Sequence, residues 1–141
     1  MSSEIKVLYT TEATAEGGRE GHARTSDGKV DVDLDVPIEM GGSGGPGTNP
    51  EQLFAAGYSA CFNSALALVA RQAKVDMPTS SVTAQVGIGP QGNGFGLTVR
   101  LIVDIPGVAK DIAEDLAAKA HMVCPYSNAT RGNIEVELQV A

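Results

Sequence analysis

Three features of the chain predict an α+β fold. Residues 29–36 alternate apolar and acidic side chains in the two-residue rhythm of a half-buried strand, residues 53–70 form an apolar stretch of helical length, and a helical pattern with distinct polar and apolar faces follows near residue 110. Strands, a long helix, a hairpin, a further helix and a strand succeed one another without regular βαβ alternation, so strands and helices segregate. The 141 residues are one domain's length, and a domain of that size hides roughly 70% of the surface its unfolded chain exposes. No internal repeat divides the chain, and a single domain over residues 1–141 is expected.

Residues 5–15 mix β-branched and apolar residues with threonine, and residues 23–25 make a second short extended piece. Within residues 29–36, Val30, Val32, Leu34 and Val36 lie on one face and Asp31, Asp33 and Asp35 on the other, after a turn at Asp27-Gly28. Gly41-Gly42-Ser43-Gly44-Gly45-Pro46-Gly47 carries too much backbone entropy for regular structure and reads as a loop or flexible linker. Asn49-Pro50-Glu51-Gln52 then signals a helix start: Asn49 caps, Pro50 takes the first helical position and Gln52 closes a capping box.

That helix is expected over residues 50–73. Of the 18 residues from 53 to 70, 14 are apolar, the exceptions being Gly57, Ser59, Asn63 and Ser64, so no polar stripe is left to face water. Residues 81–89 and 95–105 are strands joined through Asn93-Gly94, a strong hairpin signal. Residues 107–122 set Val108, Ile112, Leu116 and Ala120 against Lys110, Glu114 and Lys119, and residues 134–140 alternate as a last strand. One small sheet cannot cover an apolar helix on every side. A homodimer with the long helices sandwiched between sheets is the simplest remedy, and a monomer that folds both sheets over its own helix is the alternative.

The net charge is −7 and no basic cluster offsets it, so nucleic acid and an anionic membrane surface are repelled. The first residues, Met1-Ser2-Ser3-Glu4-Ile5-Lys6, lack an apolar signal core, and no uninterrupted run reaches the ~18 apolar residues that cross a bilayer. A cytoplasmic location without a membrane partner is expected. In that reducing compartment the two cysteines, Cys61 and Cys124, are catalytic, redox-sensing or metal-binding rather than a permanent staple.

The attacking species in thiol chemistry is the thiolate, and a thiol of pKa ~8.5 needs a nearby cation or a helix N-terminus to ionise at neutral pH. Cys61 falls mid-helix, where the dipole gives little, so a cation must come from elsewhere, and Arg19 in the turn Gly17-Gly18-Arg19-Glu20 is a candidate. Cys124 opens the turn Cys124-Pro125-Tyr126-Ser127-Asn128-Ala129-Thr130 just past a helix C-terminus, whose partial negative charge suits a resolving thiol better than an attacking one. The competing reading of Cys61 is a small core hydrophobe.

Other chemistries find less support. Cys61, Cys124, His22 and His121 lack the short paired spacing of structural zinc sites, and His121 falls in a helix's last turn, where a capping role is common. Gly57-Tyr58-Ser59-Ala60 begins like a nucleophile elbow but continues with Cys61 and follows no strand. The glycine loop lacks the Gly-Lys-Ser/Thr of a phosphate cradle.

Two long motifs, in order, resemble the organic hydroperoxide resistance proteins within the osmotically inducible protein C superfamily. They are Thr48-Asn49-Pro50-Glu51-Gln52-Leu53-Phe54-Ala55-Ala56-Gly57-Tyr58-Ser59-Ala60-Cys61-Phe62 and Cys124-Pro125-Tyr126-Ser127-Asn128-Ala129-Thr130-Arg131-Gly132-Asn133, and the resemblance extends over essentially the whole chain. It implies two antiparallel-rich sheets around long central helices in an intertwined homodimer. It also implies a thiol peroxidase that binds no cofactor or metal and is recycled by dihydrolipoamide or a lipoylated protein. By motif, Cys61 matches the peroxidatic cysteine, Cys124 the resolving one, and Arg19 and Glu51 the pair that activates Cys61. Met40, Leu53, Phe54, Phe95 and Tyr126 are candidate walls of a pocket favouring apolar, including fatty-acid, hydroperoxides. The rival functions are a stoichiometric redox sensor, for which the chain has no basic DNA-reading element, and a carrier of small apolar ligands.

Overall fold

The computed structural model describes residues 4–141, which divide into two units, one up to Pro50 and one from Glu51 onward. In the first, β1 (Ala13–Glu16), β2 (His22–Thr25) and β3 (Asp31–Asp33) pair antiparallel in that order. Ala23 lies opposite Ala15 on one side and Val32 on the other. The His22 ring bridges two carboxylates of β3, with Nδ1 2.7 Å from Asp33 and Nε2 against Asp31.

Both strands expected here are shorter than their sequence patterns. Residues 5–12 hold no strand, and Ile5, Val7, Leu8 and Tyr9 are exposed, because this unit offers that stretch no neighbouring strand to pair with. Beyond Asp33 the chain pairs instead with Thr48, whose N–H donates to the Asp33 carbonyl and whose carbonyl accepts from Asp35, each at 2.9 Å. The glycine-rich segment is a loop without regular structure, as expected, and hydrogen bonds tie it to residues 35 and 36. Gly44 N–H donates to the Val36 carbonyl at 3.1 Å and Gly47 N–H to Asp35 Oδ2 at 2.5 Å. No residue of the three strands is buried.

The second unit is built on α1 (Pro50–Gln72). It ends as Lys74 turns left-handed, with Val75 N–H closing back on the Ala70 carbonyl at 2.9 Å. By length and composition α1 could cross a membrane, contrary to the expectation drawn from uninterrupted apolar runs. Instead its Tyr58, Phe62, Ala65, Leu66, Val69 and Ala70 are buried in the unit's own core, while Leu53, Ala56, Ala60 and Ala67 stay exposed.

Facing that core are β4 (Ser81–Gln91) and β5 (Gly94–Asp104), an antiparallel hairpin, with β6 (Val136–Val140) parallel to β5. Val99, Leu101 and Val103 alternate inward along β5. Gln91 pairs with Gly94, so the hairpin's two-residue loop is Gly92-Asn93, one position earlier than expected, with Gly92 supplying the positive φ of 56°.

The parallel return to β6 needs a long crossover, supplied by α2 (Lys110–Val123) and α3 (Pro125–Thr130). The inward face of α2 is Ala113, Leu116, Ala117 and Ala120. Ile112, expected on that face, is 43% exposed, because the buried face centres about a quarter-turn of helix away from it. The two sheets, of three strands each, and the helices make the fold α+β.

Candidate active site

Why the chain breaks at Cys124 follows from Pro125. A proline disfavours helical backbone in the residue before it, so Cys124 takes φ −59°, ψ 125°. Its N–H still closes α2 on the Ala120 carbonyl at 2.8 Å, and its carbonyl accepts from Asn128 N–H at 2.9 Å. Cys124 thus joins two helices, where the sequence suggested a turn after one. Residues 125–130 are helical because Pro125 is suited to a first helical position. The expected single influence of a helix C-terminus on Cys124 is accordingly opposed by the start of a second helix.

The break sets Cys124 against α1. Its Sγ lies 3.4 Å from Cys61 Sγ, and both thiols are free. Cys61 is partly exposed and Cys124 fully buried, so a reagent reaches Cys61 first. Closing the contact to a disulfide bond of about 2.05 Å requires an approach of only roughly 1.4 Å. Burial pushes the Cys61 thiol above its ordinary pKa and the neighbouring Cys124 adds to that, while the backbone N–H of Tyr126 pulls the other way.

A buried polar chain holds this junction. The Tyr58 hydroxyl lies 2.8 Å from Ser127 Oγ and 3.2 Å from Thr130 Oγ1, and His121 Nδ1 is 2.8 Å from Ser127 Oγ. Thr130 donates to the Ser127 carbonyl at 3.1 Å. Since each hydroxyl has one proton, Tyr58 must then donate to Thr130, Ser127 to Tyr58, and His121 Nδ1–H to Ser127. His121 therefore carries a proton on Nδ1, and burial, with Arg131, lowers its pKa. Arg131 donates to the His121 carbonyl at 2.7 Å.

Phe54, Tyr58 and Tyr126 cluster on the thiols' N-terminal side along α1, with ring centroids 5.6 to 5.8 Å apart. Tyr126 can lie over α1 because residue 57 is glycine: a Cβ there would stand 2.9 Å from the Tyr126 hydroxyl.

Cys61, Cys124, Phe54 and Tyr126, all sequence candidates, are therefore in one neighbourhood. Phe95 is not among the clustered rings. It stands opposite Pro90 near the hairpin tip and is 73% exposed. Leu53 is exposed on α1, and Met40 belongs to a one-turn helix, Ile38–Met40, of the first unit. Arg19 sits in another, Gly18–Glu20, between β1 and β2. The turn is tight, since a Cβ on Gly21 would overlap the Glu16 carbonyl, so glycine at position 21 is a steric requirement. No group of three or more His, Cys, Asp or Glu is placed to hold a metal among the described residues.

Tyr58, His121, Ser127 and Thr130 as a hydrogen-bonded set were not recognised from sequence. The available signal was a tyrosine in an otherwise apolar helix, whose hydroxyl needs a partner once buried.

Residues 41–139 match the family model described as OsmC-like protein. An organic hydroperoxide resistance protein of Xanthomonas axonopodis pv. citri is 56% identical over 142 residues, spanning 100% of both chains. The chain belongs to the organic hydroperoxide resistance proteins of the OsmC-like family. Among solved structures, an organic hydroperoxide resistance protein of Legionella pneumophila is similar with TM-score 0.92 and 52% identity, covering 96% of this chain and 99% of that one. One from Vibrio cholerae, with captopril bound in one of the active sites, has TM-score 0.92 and 50% identity, covering 98% and 95%.

Tyr58→Phe removes a fully buried hydroxyl that joins α1 to α3. Its expected cost is about 1–3 kcal/mol, read from the denaturant midpoint at fixed protein concentration, and an unchanged midpoint would remove Tyr58 from the account.

Proposed function

We propose that the chain is a peroxidase that reduces organic hydroperoxides, including those of fatty acids, to alcohols. The observation that carries this reading is the 3.4 Å contact between a partly exposed and a buried free thiol, in a chain whose relatives are named for resistance to organic hydroperoxides. The Cys61 thiolate attacks the terminal peroxide oxygen. The O–O bond breaks, the alkoxide takes a proton and leaves as the alcohol, and Cys61 becomes a sulfenic acid. Cys124 then attacks Cys61 Sγ, the S–O bond breaks, and water leaves as the disulfide forms. Dihydrolipoamide or a lipoylated protein supplies two electrons and two protons, regenerating both thiols while its own dithiol closes to a disulfide.

The raised pKa of Cys61 gives the reaction a requirement for positive charge. Arg19 is assigned to it, holding the thiolate and stabilising charge on the peroxide oxygens, with Glu51 orienting the guanidinium through a paired hydrogen bond. Glu51 and Cys61 lie on one continuous helix, and ten residues of helix separate them by about 15 Å along the axis. Glu51 therefore acts on the partner subunit's Cys61, and each active site is shared across a homodimer.

Three exposed features support the dimer: the apolar residues Ile5, Val7, Leu8 and Tyr9, the three strands without a buried residue, and the face of α1 carrying Leu53, Ala56 and Ala60. The Vibrio cholerae relative, described with captopril in one of its active sites, agrees with more than one site per assembly. A reducing cytoplasm would keep both thiols free between turnovers.

Cys61→Ser is expected to lose all turnover of cumene hydroperoxide with dihydrolipoamide. Cys124→Ser should consume about one equivalent of peroxide and stop at an oxidised Cys61, seen by mass spectrometry. Wild-type turnover in Cys61→Ser would end the peroxidase reading.

Arg19→Ala should move the pH profile of Cys61 alkylation upward. A cation favours the thiolate, so its loss raises the thiol pKa and slows the reaction most on the acid side. An unmoved profile would assign activation to another group.

The shared site is tested by mixing Glu51→Ala and Cys61→Ser protomers under conditions that exchange subunits. A mixed dimer holds one site with both residues intact and should recover up to about half the wild-type activity per dimer. Verified exchange without recovery would place Glu51 and Cys61 in separate roles.

A further inference from the structure

An open depression of about 460 Å³ adjoins Cys61 in the second unit. Cys61, Ser64, Leu68 and Arg71 of α1 line it, together with Val123 and Pro125 from the α2–α3 junction. The four α1 residues recur at intervals of three and four, the spacing of one row on a helix surface. The depression thus runs along α1, C-terminal to the Leu53, Ala56 and Ala60 face given to the partner, with the thiol toward one end and the guanidinium toward the other.

Ten residues of helix put the Cα atoms of Cys61 and Arg71 about 15 Å apart along the axis. Helical side chains lean toward the helix N-terminus, which brings the guanidinium back toward the thiol. Between the two, the lining is apolar except for Ser64, and no carboxylate contributes to it. Arg71 is exposed and makes no ion pair among the described residues. It is not among the groups that shift Cys61, and the thiol reaction leaves it without a task.

We infer that Arg71 is a specificity-determining residue, whose guanidinium binds the carboxylate of a long-chain fatty-acid hydroperoxide while the peroxide group lies at Cys61. The acyl chain occupies the apolar stretch along α1. A hydroperoxide in the middle of a long acyl chain has the length to touch both ends, and a short alkyl hydroperoxide reaches only the thiol. A chain of net charge −7 repels an anionic substrate at long range, so a local cation is what allows it to bind. Arginine fits the task better than a point charge, because its planar fork holds a carboxylate by two hydrogen bonds.

The reacting end of this assignment rests on the peroxidase reading, but the carboxylate end can be measured apart from it. Three substrates separate the effects: linoleic acid hydroperoxide, its methyl ester, and cumene hydroperoxide. In Arg71→Gln the KM for the free acid should rise roughly five- to tenfold with kcat little changed, while KM for the ester and for cumene hydroperoxide stays within about twofold. Arg71→Lys should restore part of the loss. A KM for the free acid that does not move, or that moves equally for acid and ester, overturns the inference. A parallel titration uses the corresponding hydroxy fatty acid, which cannot react. Tighter binding to wild type than to Arg71→Gln, absent for its methyl ester, supports the carboxylate site even if no peroxide is turned over, an outcome that would sink only the peroxidase reading. Equal binding to both proteins, with all three peroxides reduced, would sink only the role of Arg71.

Discussion

A buried phenol organises the thiol site. Tyr58 is fully enclosed on an otherwise apolar face of α1, and a hydroxyl left there without partners would cost about 1–3 kcal/mol. Its partners are Ser127 and Thr130 of α3, so satisfying the hydroxyl ties α3 to α1. Pro125 breaks the crossover just before α3, and the break exposes Cys124 to α1 one helical turn beyond Tyr58. The 3.4 Å thiol contact is thus a by-product of hydrogen-bond satisfaction in a small core. His121 completes the arrangement from α2, its Nδ1 against Ser127 Oγ extending the chain whose direction Thr130 sets.

The same burial that brings the thiols together opposes ionisation of Cys61. Desolvation disfavours a thiolate, and Cys124 beside Cys61 adds to the penalty. Only the Tyr126 N–H, delivered by the start of α3, acts in favour of charge within the second unit. Cys61 in this setting favours the thiol, and the proposed Arg19 contribution would offset that penalty. The two proposed arginine roles are then distinct, one at the sulfur and one at the far end of the substrate.

Unsatisfied surface is the other constraint. The first unit's sheet buries none of its strand residues, the extended apolar segment before β1 has no strand to pair with, and α1 keeps small apolar residues exposed along one face. Each is an ordinary cost singly. Together they describe a chain whose hydrophobic surface exceeds what one copy covers, and the proposed homodimer answers that excess and the reach of Glu51 with one arrangement.

Much of this was legible in the residues themselves. The apolar length of α1, Pro50 at its start, the alternation along β5 and the pairing of Cys61 with Cys124 through two recognisable motifs are local patterns, written in neighbouring positions. What misled was local too: Ile112 fits the apolar pattern of α2, yet the buried face centres on Ala113, Leu116, Ala117 and Ala120 and leaves it 43% exposed at the edge. The sequence by itself determined the α+β class and the long helix, and its motifs singled out the two cysteines that the structure brings into contact. Only the tertiary structure decided that Tyr58, Ser127, Thr130 and His121 form one polar chain, and that Arg71 shares a depression with Cys61. Tyr58 and Ser127 are 69 residues apart in sequence, and no periodicity or propensity spans such a gap: those contacts exist because buried hydroxyls and packed helices choose their partners in space.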